Sequence, residues 1–274
     1  MIHRSSRLFH IVLIAGSILF LMPFYVMVVM SLKTPEEIAR SPIWQWPVAP
    51  SMQNFIDVLQ NPGVVFSLLL KNTAMLAVFC TIGTLISSIT TAYAFSRLRF
   101  PGKDRLFIIL LATMMLPGIV TMIPTYVLFA KLHWINTFLP LIVPTFFGSA
   151  WNIFLLKQFF SGLPMELDEA ARIDGAGHMT ILTRVVLPLS GPVLATIGTF
   201  TFIGAWRDFM GPLLYLNDPD KQTLEVGLRL YKTMNEDQWH LLMAAAVMVT
   251  IPLIIIFLVS QKAFVKGIVM TGGK

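Results

Sequence analysis

The stretch EAARIDGAGHMTILTRVVLP, from Glu169 to Pro188, is a polar segment between two long apolar runs. Glu166 and Asp168 crowd its approach, as acidic side chains do in the first turn of a helix. Gly175 can adopt the positive φ that ends a helix. The sequence therefore predicts two short helices joined by a glycine turn, which form an elbow.

Apolar residues lie on one side of each predicted helix of this elbow. Leu167, Ala170 and Ala171 share a face before the glycine turn. The pattern continues after the turn at Met179, Leu182, Val185 and Val186. The small residues Ala170, Ala171, Gly175 and Gly177 permit close approach of another backbone. A surface elbow specified this tightly predicts a docking partner.

Composition places the chain in a lipid bilayer. Of its 274 residues, 56% are hydrophobic and 12% are charged, whereas charged residues make up roughly a quarter of a soluble protein. Runs near the roughly 20 residues that cross a hydrocarbon core occur at Phe9–Leu32, Asn72–Phe95, Leu106–Phe129, Phe138–Leu156, Pro192–Leu214 and Leu241–Ser260. We predict an all-α polytopic membrane protein with six transmembrane helices, forming one transmembrane domain over residues 1–274.

The lysine and arginine positions predict the orientation. Twelve of the 20 lie on the side of both termini, and such an excess marks the cytoplasmic side. We therefore expect both termini in the cytoplasm, an external loop at 33–63, a cytoplasmic loop at 161–190 and a cytoplasmic tail at 261–274. This topology also explains the net charge of +6 without any nucleic-acid partner.

The external loop at 33–63 contains five prolines, which break any long helix. Within it, Ser51–Leu59 is predicted to form a short amphipathic helix, because its apolar residues share one face. Those residues are Met52, Phe55, Ile56 and Leu59. Trp44 and Trp46 are interpreted as anchors at the headgroup level of the membrane, which indole favours.

Proline interrupts the third predicted span at Pro117 and Pro124. Freed backbone carbonyls are tolerated at membrane depth only inside protein or beside a water-filled cavity. The third span is therefore a candidate wall of a solute pathway.

Spans four and five carry the candidate residues of a substrate path, which are Trp151, Asn152, Trp206, Arg207 and Asp208. Tryptophan stacks on the apolar face of a sugar ring, while Asn, Asp and Arg hydrogen-bond its hydroxyl groups. The alternative is that Arg207 and Asp208 lie near the outer interface, where a charge can reach the headgroups.

No catalytic or metal-binding pattern is predicted. A phosphate-binding G-x-x-x-x-G-K-[ST] loop does not occur in the sequence, the five histidines are dispersed, and the one cysteine, Cys80, lies in an apolar run. The chain is thus expected not to hydrolyse ATP itself.

The Glu169–Pro188 stretch resembles the EAA signature of the membrane subunits of ATP-binding-cassette importers. The spacing matches throughout, with Val185 at the aliphatic position before the final L-P. The resemblance implies a coupling helix that sits in a cleft of a cytoplasmic ATPase. It assigns that contact to Glu169, Ala170, Ala171, Asp174, Gly175, Leu187 and Pro188. ATP and Mg²⁺ would then be used by the ATPase, with no cofactor bound by this chain.

Four further stretches resemble the shorter membrane subunit of maltose-type carbohydrate permeases. They are S-L-K-T-P-E-E-I from Ser31, A-Y-A-F-S-R-L-R-F-P-G from Ala92, G-A-W-R-D-F from Gly204 and F-V-K-G from Phe264. The resemblance implies a bacterial inner-membrane heterodimer with a second permease, two ATPase subunits and an external solute-binding protein. The substrate would be a sugar or oligosaccharide, and membrane lipid would surround the spans.

Arg207 departs from that family pattern, in which a short polar residue is more usual, and it suggests an anionic sugar. Alternatives within the family are a glycerol phosphate derivative or an oligopeptide. Alternatives outside it are a membrane scaffold or receptor, and a transporter driven by an ion gradient. The last of these requires acidic residues near the midplane of broken helices.

Overall fold

The computed structural model describes residues 2–61, 63–234 and 238–271, with side chains described at 9–61, 63–229 and 238–261. The helices, in chain order, are α1 (Ile2–Ser31), α2 (Pro35–Arg40), α3 (Gln53–Gln60), α4 (Phe66–Arg97), α5 (Lys103–Thr113), α6 (Gly118–Lys131), α7 (Leu139–Ile142), α8 (Ala150–Gly162), α9 (Glu166–Ile173), α10 (His178–Ile181), α11 (Leu187–Leu189), α12 (Gly191–Trp206), α13 (Met210–Tyr215), α14 (Leu224–Met234) and α15 (Trp239–Thr271). Short 3₁₀ helices lie at Val143–Phe147 and Pro219–Lys221, and a π-helical segment lies at Leu182–Val186.

The described residues contain four helical stretches long and apolar enough to cross a membrane. They are Phe9–Ser31, Phe66–Arg97, Leu139–Gly162 and Trp239–Gln261. Two bent pairs also pass the same test, α5 with α6 at an angle of 97° and His178–Leu189 with Gly191–Trp206 at 82°. The number of spans is therefore four, or up to six if each bent pair is one span. The all-helical membrane fold is confirmed, but the third and fifth spans are not straight rods.

The third predicted span, Leu106–Phe129, is divided at the first of its two prolines. Pro117 lies just before α6, and the chain turns there by 97° because proline has no N–H to continue the helical ladder. Pro124 lies inside α6, where it leaves one ladder hydrogen bond unmade but does not divide the helix. The remaining backbone hydrogen bonds of this 14-residue helix hold it together around the missing one.

The fifth predicted span, Pro192–Leu214, also differs from a continuous helix. It begins one residue earlier, at Gly191, and α12 ends at Trp206. Asp208 then accepts a hydrogen bond at its Oδ1 from the backbone N–H of Gly211, at 3.0 Å. A side-chain acceptor that competes for backbone N–H groups in this way favours a turn over a continuing helix. The short helix α13 starts only after this turn.

One compact unit lies within Met1–Ser67 and Val226–Pro252. In it, Asn54 of α3 is 5% exposed and donates from Nδ2 to the carbonyl oxygens of Ser31, at 2.8 Å, and Lys33, at 2.9 Å. The buried Lys33 ammonium donates in turn to Ser41 Oγ at 2.8 Å and to the Pro42 carbonyl at 2.7 Å. The segment after α1 is thus fixed by satisfied polar groups.

The amphipathic helix predicted within residues 33–63 is present as α3, but its apolar face points outward. Met52, Ile56 and Leu59 are 67%, 42% and 53% exposed, whereas Asn54 and Val58 are the buried residues. Trp44 and Trp46 are also more than half exposed. The position of this loop on the membrane stays a prediction. The short helix α2 was not predicted.

The second compact unit lies within Leu68–Glu225 and Leu253–Lys274. Its hydrophobic core is formed by residues of α4, α8, α10, α12 and the π-helical segment at Leu182–Val186. The buried residues of this core are Ala92, Tyr93, Phe95, Ile153, Leu156, Phe160, Ile181, Leu182, Val186, Val193 and Ile197. The second half of the predicted elbow is therefore part of the core of the unit.

The helix α4 packs closely against the chain near the 3₁₀ helix at Val143–Phe147. Ser87 Oγ donates to the Thr145 carbonyl at 2.9 Å. At Gly83 there is no room for a side chain, because an added Cβ would clash with Thr145 Oγ1 and lie 2.7 Å from the Phe146 ring.

The substitution Gly83→Ala is expected to destabilise the protein by about 1–3 kcal/mol, because it overpacks this contact. The control is Gly118→Ala, where an added Cβ meets no atom within 4 Å. Thermal unfolding of the purified variants in detergent measures the difference. Equal stability of the two variants would contradict the close contact at Gly83.

Candidate functional site

The helix α9 has a buried side and an exposed side. Asp168 is 1% exposed and Ala171 is half-buried, whereas Glu169 and Ala170 are exposed. Ile173, at the end of the helix, is 87% exposed. The outward surface therefore combines a carboxylate, a small residue and a large apolar side chain, although a large apolar side chain is ordinarily buried.

The chain leaves α9 through a glycine turn, as predicted. Gly175 has a φ of +82°, a conformation that costs roughly 1–2 kcal/mol for a residue with a Cβ. The Ala176 N–H donates to the Ala171 carbonyl at 2.9 Å, and the Gly175 N–H donates to the Arg172 carbonyl at 3.0 Å. An added Cβ at Gly175 would meet no atom within 4 Å. Within this chain, the backbone conformation and not space requires the glycine.

A buried arginine fixes α9 to the end of α4. The Arg97 Nε lies 3.8 Å from Asp168 Oδ2, and both side chains are 1% exposed. Arg97 also donates from Nη2 to the Leu163 carbonyl at 2.9 Å and from Nη1 to Met165 Sδ. One guanidinium therefore contacts α9 and both ends of the link between α8 and α9.

The ion pair is held by charge more than by hydrogen bonds. Neither carboxylate oxygen of Asp168 nor the Nε of Arg97 has a hydrogen-bond partner within the described chain. Burying two charges has a large desolvation penalty, and removal of one partner leaves the other uncompensated. The pair is therefore a constraint on the position of α9, not a large net source of stability.

Sequence reasoning missed this pair. The sequence pattern predicts Arg97 only as one of the cytoplasmic basic residues and Asp168 only as an acid in a first helical turn. Helical spacing could have indicated that Asp168 is buried. Asp168 and Ala171 are three residues apart and share a face of the helix, whereas Glu169 lies on a different face. The partner across the fold could not be found from local pattern.

The second half of the elbow is anchored by apolar packing. Leu182 is 5% exposed and Val186 is fully buried, as their predicted common face requires. Met179, predicted on the same face, is instead 67% exposed. The buried residue of α10 is instead Ile181, directly before the π-helical segment at Leu182–Val186.

The stretch ends where the fifth span begins. Leu187 and Pro188 lie in α11, and Ser190 Oγ donates to the Val186 carbonyl at 2.6 Å. The chain then bends by 82° into α12. The second half of the elbow thus continues into α12 without an intervening loop, and the two together are long and apolar enough to form one bent span.

The five candidate substrate-path residues have dissimilar environments. Trp151 is 58% exposed, whereas Trp206 is 3% exposed and stacks on Phe202 at 5.5 Å. Asn152 is half-buried, and the Asp208 carboxylate is bound to the backbone of the turn. A cavity of about 370 Å³ beside α13 is lined by none of the five. Their role in a substrate path stays a prediction.

Arg207 is exposed at the end of α12 and has an acidic neighbour. Burial raises the pKa of Glu225, and the positive charge of Arg207 opposes that rise. The guanidinium is thus partly compensated from within the same unit.

Residues 83–270 match the family described as the inner membrane component of binding-protein-dependent transport systems. The chain belongs to this family. The match covers the elbow and the helices on both sides of it. The chain is accordingly a permease component of an ATP-binding-cassette importer.

Two curated relatives of this permease align over nearly their whole length. A trehalose/maltose transport system permease protein from Thermococcus litoralis is 36% identical over 274 residues, covering 97% of each chain. An sn-glycerol-3-phosphate transport system permease protein from Yersinia pestis is 35% identical over 266 residues, covering 95% of this chain and 94% of its own.

A solved structure shares the fold of this permease. It is a chain of a bacterial ABC transporter involved in the import of the acidic polysaccharide alginate, with a TM-score of 0.84 and 27% identity. The match covers 95% of this chain and 98% of that one. The permease family and the helical membrane fold are therefore confirmed together.

Substituting Asp168→Asn is expected to destabilise the permease by about 3–5 kcal/mol, because it leaves the Arg97 guanidinium buried without a counter-charge. The control is Asp104→Asn, on the exposed first turn of α5. The double variant Arg97→Met/Asp168→Leu should recover much of the loss, since it removes both charges. Thermal unfolding in detergent measures all three. If Asp168→Asn were as stable as Asp104→Asn, the constraint would be absent.

Proposed function

We propose that this permease forms half of a translocation pathway for a sugar or oligosaccharide, together with a second permease subunit. Two cytoplasmic ATPase subunits bind ATP and Mg²⁺, and an external solute-binding protein delivers the substrate. The chain itself binds no cofactor and catalyses no reaction. Membrane lipid surrounds its spans, and nucleic acid is not a partner.

The observation that carries the coupling role is the outward surface of α9 and the turn that follows it. Ile173 and Met179 are 87% and 67% exposed, next to the exposed carboxylate of Glu169. Exposed apolar groups rimmed by charge are typical of a protein contact. We assign this contact to the ATPase, with Glu169 as its ion-pairing group.

The elbow has the connections that a coupling element needs. Its first helix is tied to α4 by the Arg97–Asp168 pair, and its second half is packed in the core. A displacement of α9 would therefore act on several membrane helices at once, since packed elements move as rigid bodies. This placement requires residues 161–190 and both termini to lie in the cytoplasm, as the distribution of basic residues predicts. In the tail at 261–274, α15 extends to Thr271, and residues 272–274 lie outside the described residues.

The relatives support two substrate classes. The name of one relative specifies trehalose and maltose, which supports a neutral sugar, and that of the other specifies sn-glycerol-3-phosphate. The exposed guanidinium of Arg207 favours the second class, or an acidic sugar, because arginine binds phosphate and carboxylate groups well. The Glu225 carboxylate nearby weakens that argument, and we place the neutral sugar first.

The substitution Gly175→Val is expected to abolish ATP-driven uptake while the complex stays assembled in the membrane. Valine is strained at a φ of +82° and adds bulk where the ATPase would approach. The control is Gly177→Val, where φ is −78° and an added Cβ meets no atom within 4 Å. Proteoliposomes containing the whole complex are assayed with radiolabelled sugar. Uptake driven by an ion gradient without ATP would contradict the importer assignment.

Reversing the charge at Glu169 with Glu169→Lys is expected to release the ATPase subunits from the purified complex. The matched control is Glu166→Lys, which reverses another exposed acid one turn earlier on α9. The ratio of ATPase to permease after affinity purification reports the effect. Full retention of the ATPase in Glu169→Lys would argue against the ion-pairing role.

A further inference from the structure

The basic loop (residues 98–105) comprises the short connection between α4 and α5 and the first three residues of α5. Phe100 packs against Phe95 with ring centroids 5.9 Å apart, and Phe107 packs against the same ring at 5.4 Å. Lys103 Nζ donates to the Leu98 carbonyl at 3.1 Å, which closes the loop on itself. Aromatic packing on the inside therefore holds the polar side chains of the loop on the outside.

The basic loop surrounds a concave surface that carries a positive charge. A cavity of about 610 Å³ is lined by Leu98, Arg99, Phe100, Gly102, Lys103, Asp104 and Arg105. Three of these side chains are cationic and one is acidic. Arg99 and Arg105 are exposed, and Lys103 is half-buried. Such a surface is suited to an anion with several oxygen acceptors, such as a phosphate group.

An exposed apolar surface begins where the cations end. Leu106, Ile108 and Ile109 of α5 are 51%, 66% and 61% exposed. With 11 residues, α5 is about 16 Å long, close to half of a hydrocarbon core of about 30 Å. The helix is thus long enough to cross about one leaflet, and the chain bends by 97° between it and α6.

We propose that the basic loop and α5 form a binding site for one anionic phospholipid of the cytoplasmic leaflet. The phosphate group lies in the concave surface between Arg99 and Arg105, and the acyl chains lie along the exposed side of α5. Basic pockets at the cytoplasmic ends of membrane helices recognise anionic headgroups in this way. The inference rests on the membrane orientation in the proposed function, because only then do these cations face the inner leaflet.

The site adjoins the proposed ATPase contact but differs from it in charge. A second cavity, of about 460 Å³, shares Leu98 and Arg99 with the first but is lined otherwise by Arg97, Met165, Asp168, Glu169, Arg172 and His178. In that second cavity acids and bases are mixed, which suits a protein contact. In the basic loop the cations predominate and adjoin an apolar helix face, which favours a lipid.

The test measures phospholipid retained by the whole purified complex. The complex is extracted from nanodiscs that contain phosphatidylcholine and phosphatidylglycerol, and native mass spectrometry counts each lipid bound. Arg99→Gln/Arg105→Gln is compared with Lys71→Gln/Lys131→Gln, which removes two exposed cations elsewhere in the same chain. Both pairs lose two charges, so only the position differs.

We expect Arg99→Gln/Arg105→Gln to weaken retention of phosphatidylglycerol about 25-fold, since each basic residue near the headgroup contributes about fivefold. The control pair should retain it as the native chain does. Equal retention by both variants would overturn the proposal. Displacement of phosphatidylglycerol by millimolar inorganic phosphate would assign the site to free phosphate instead. Loss of ATPase subunits with unchanged lipid would assign the loop to the protein contact.

Lipid retention is read independently of transport. A complex that fails to import sugar but shows the expected retention would remove the proposed substrate and keep the lipid site. A complex that imports sugar but shows no difference in lipid retention between the variants would keep the proposed substrate and remove the lipid site.

Discussion

The buried ion pair between Arg97 and Asp168 is the constraint on which the placement of the elbow depends. A charge buried without its partner is costly, so α9 is held where the end of α4 and the link after α8 meet. With one side of α9 occupied in this way, Glu169, Ala170 and Ile173 are left on the outside. The proposed contact surface is thus a consequence of what the opposite side of the helix must bury.

The elbow is attached to the rest of the unit in two ways. Its first helix, α9, is held by the Arg97–Asp168 ion pair. Its second half is held by the apolar packing of Leu182 and Val186 in the core, and the bend into α12 follows directly. On the proposed function, movement of an ATPase cleft reaches membrane helices through both connections. The backbone breaks at Pro117 and after Trp206 divide the third and fifth predicted spans into shorter helices.

Much of the fold could be predicted because it depends on local or additive properties. The lengths of the hydrophobic runs predicted the candidate spans. Gly175 predicted the turn after α9, because glycine adopts a φ of +82° without strain. The ion pair could not be found, since it joins residues far apart in sequence. The sequence predicted that the apolar residues of α3 share one face, but not that this face points outward. Its direction depends on the hydrogen bonds from Asn54 to carbonyl groups far away in the sequence. Substrate-path residues remained the least predictable, since spans four and five show no local signal for which side chains come together.

The most direct test of the coupling claim is the reactivity of a single thiol in place of Ile173, in a chain whose native thiol is removed by Cys80→Ala. A membrane-impermeant maleimide is applied to inside-out vesicles that contain the permease pair, with and without the ATPase. The account predicts rapid labelling of the permease pair from the cytoplasmic side and strong protection once the ATPase binds. Labelling from the external side, or equal labelling with and without the ATPase, would contradict it.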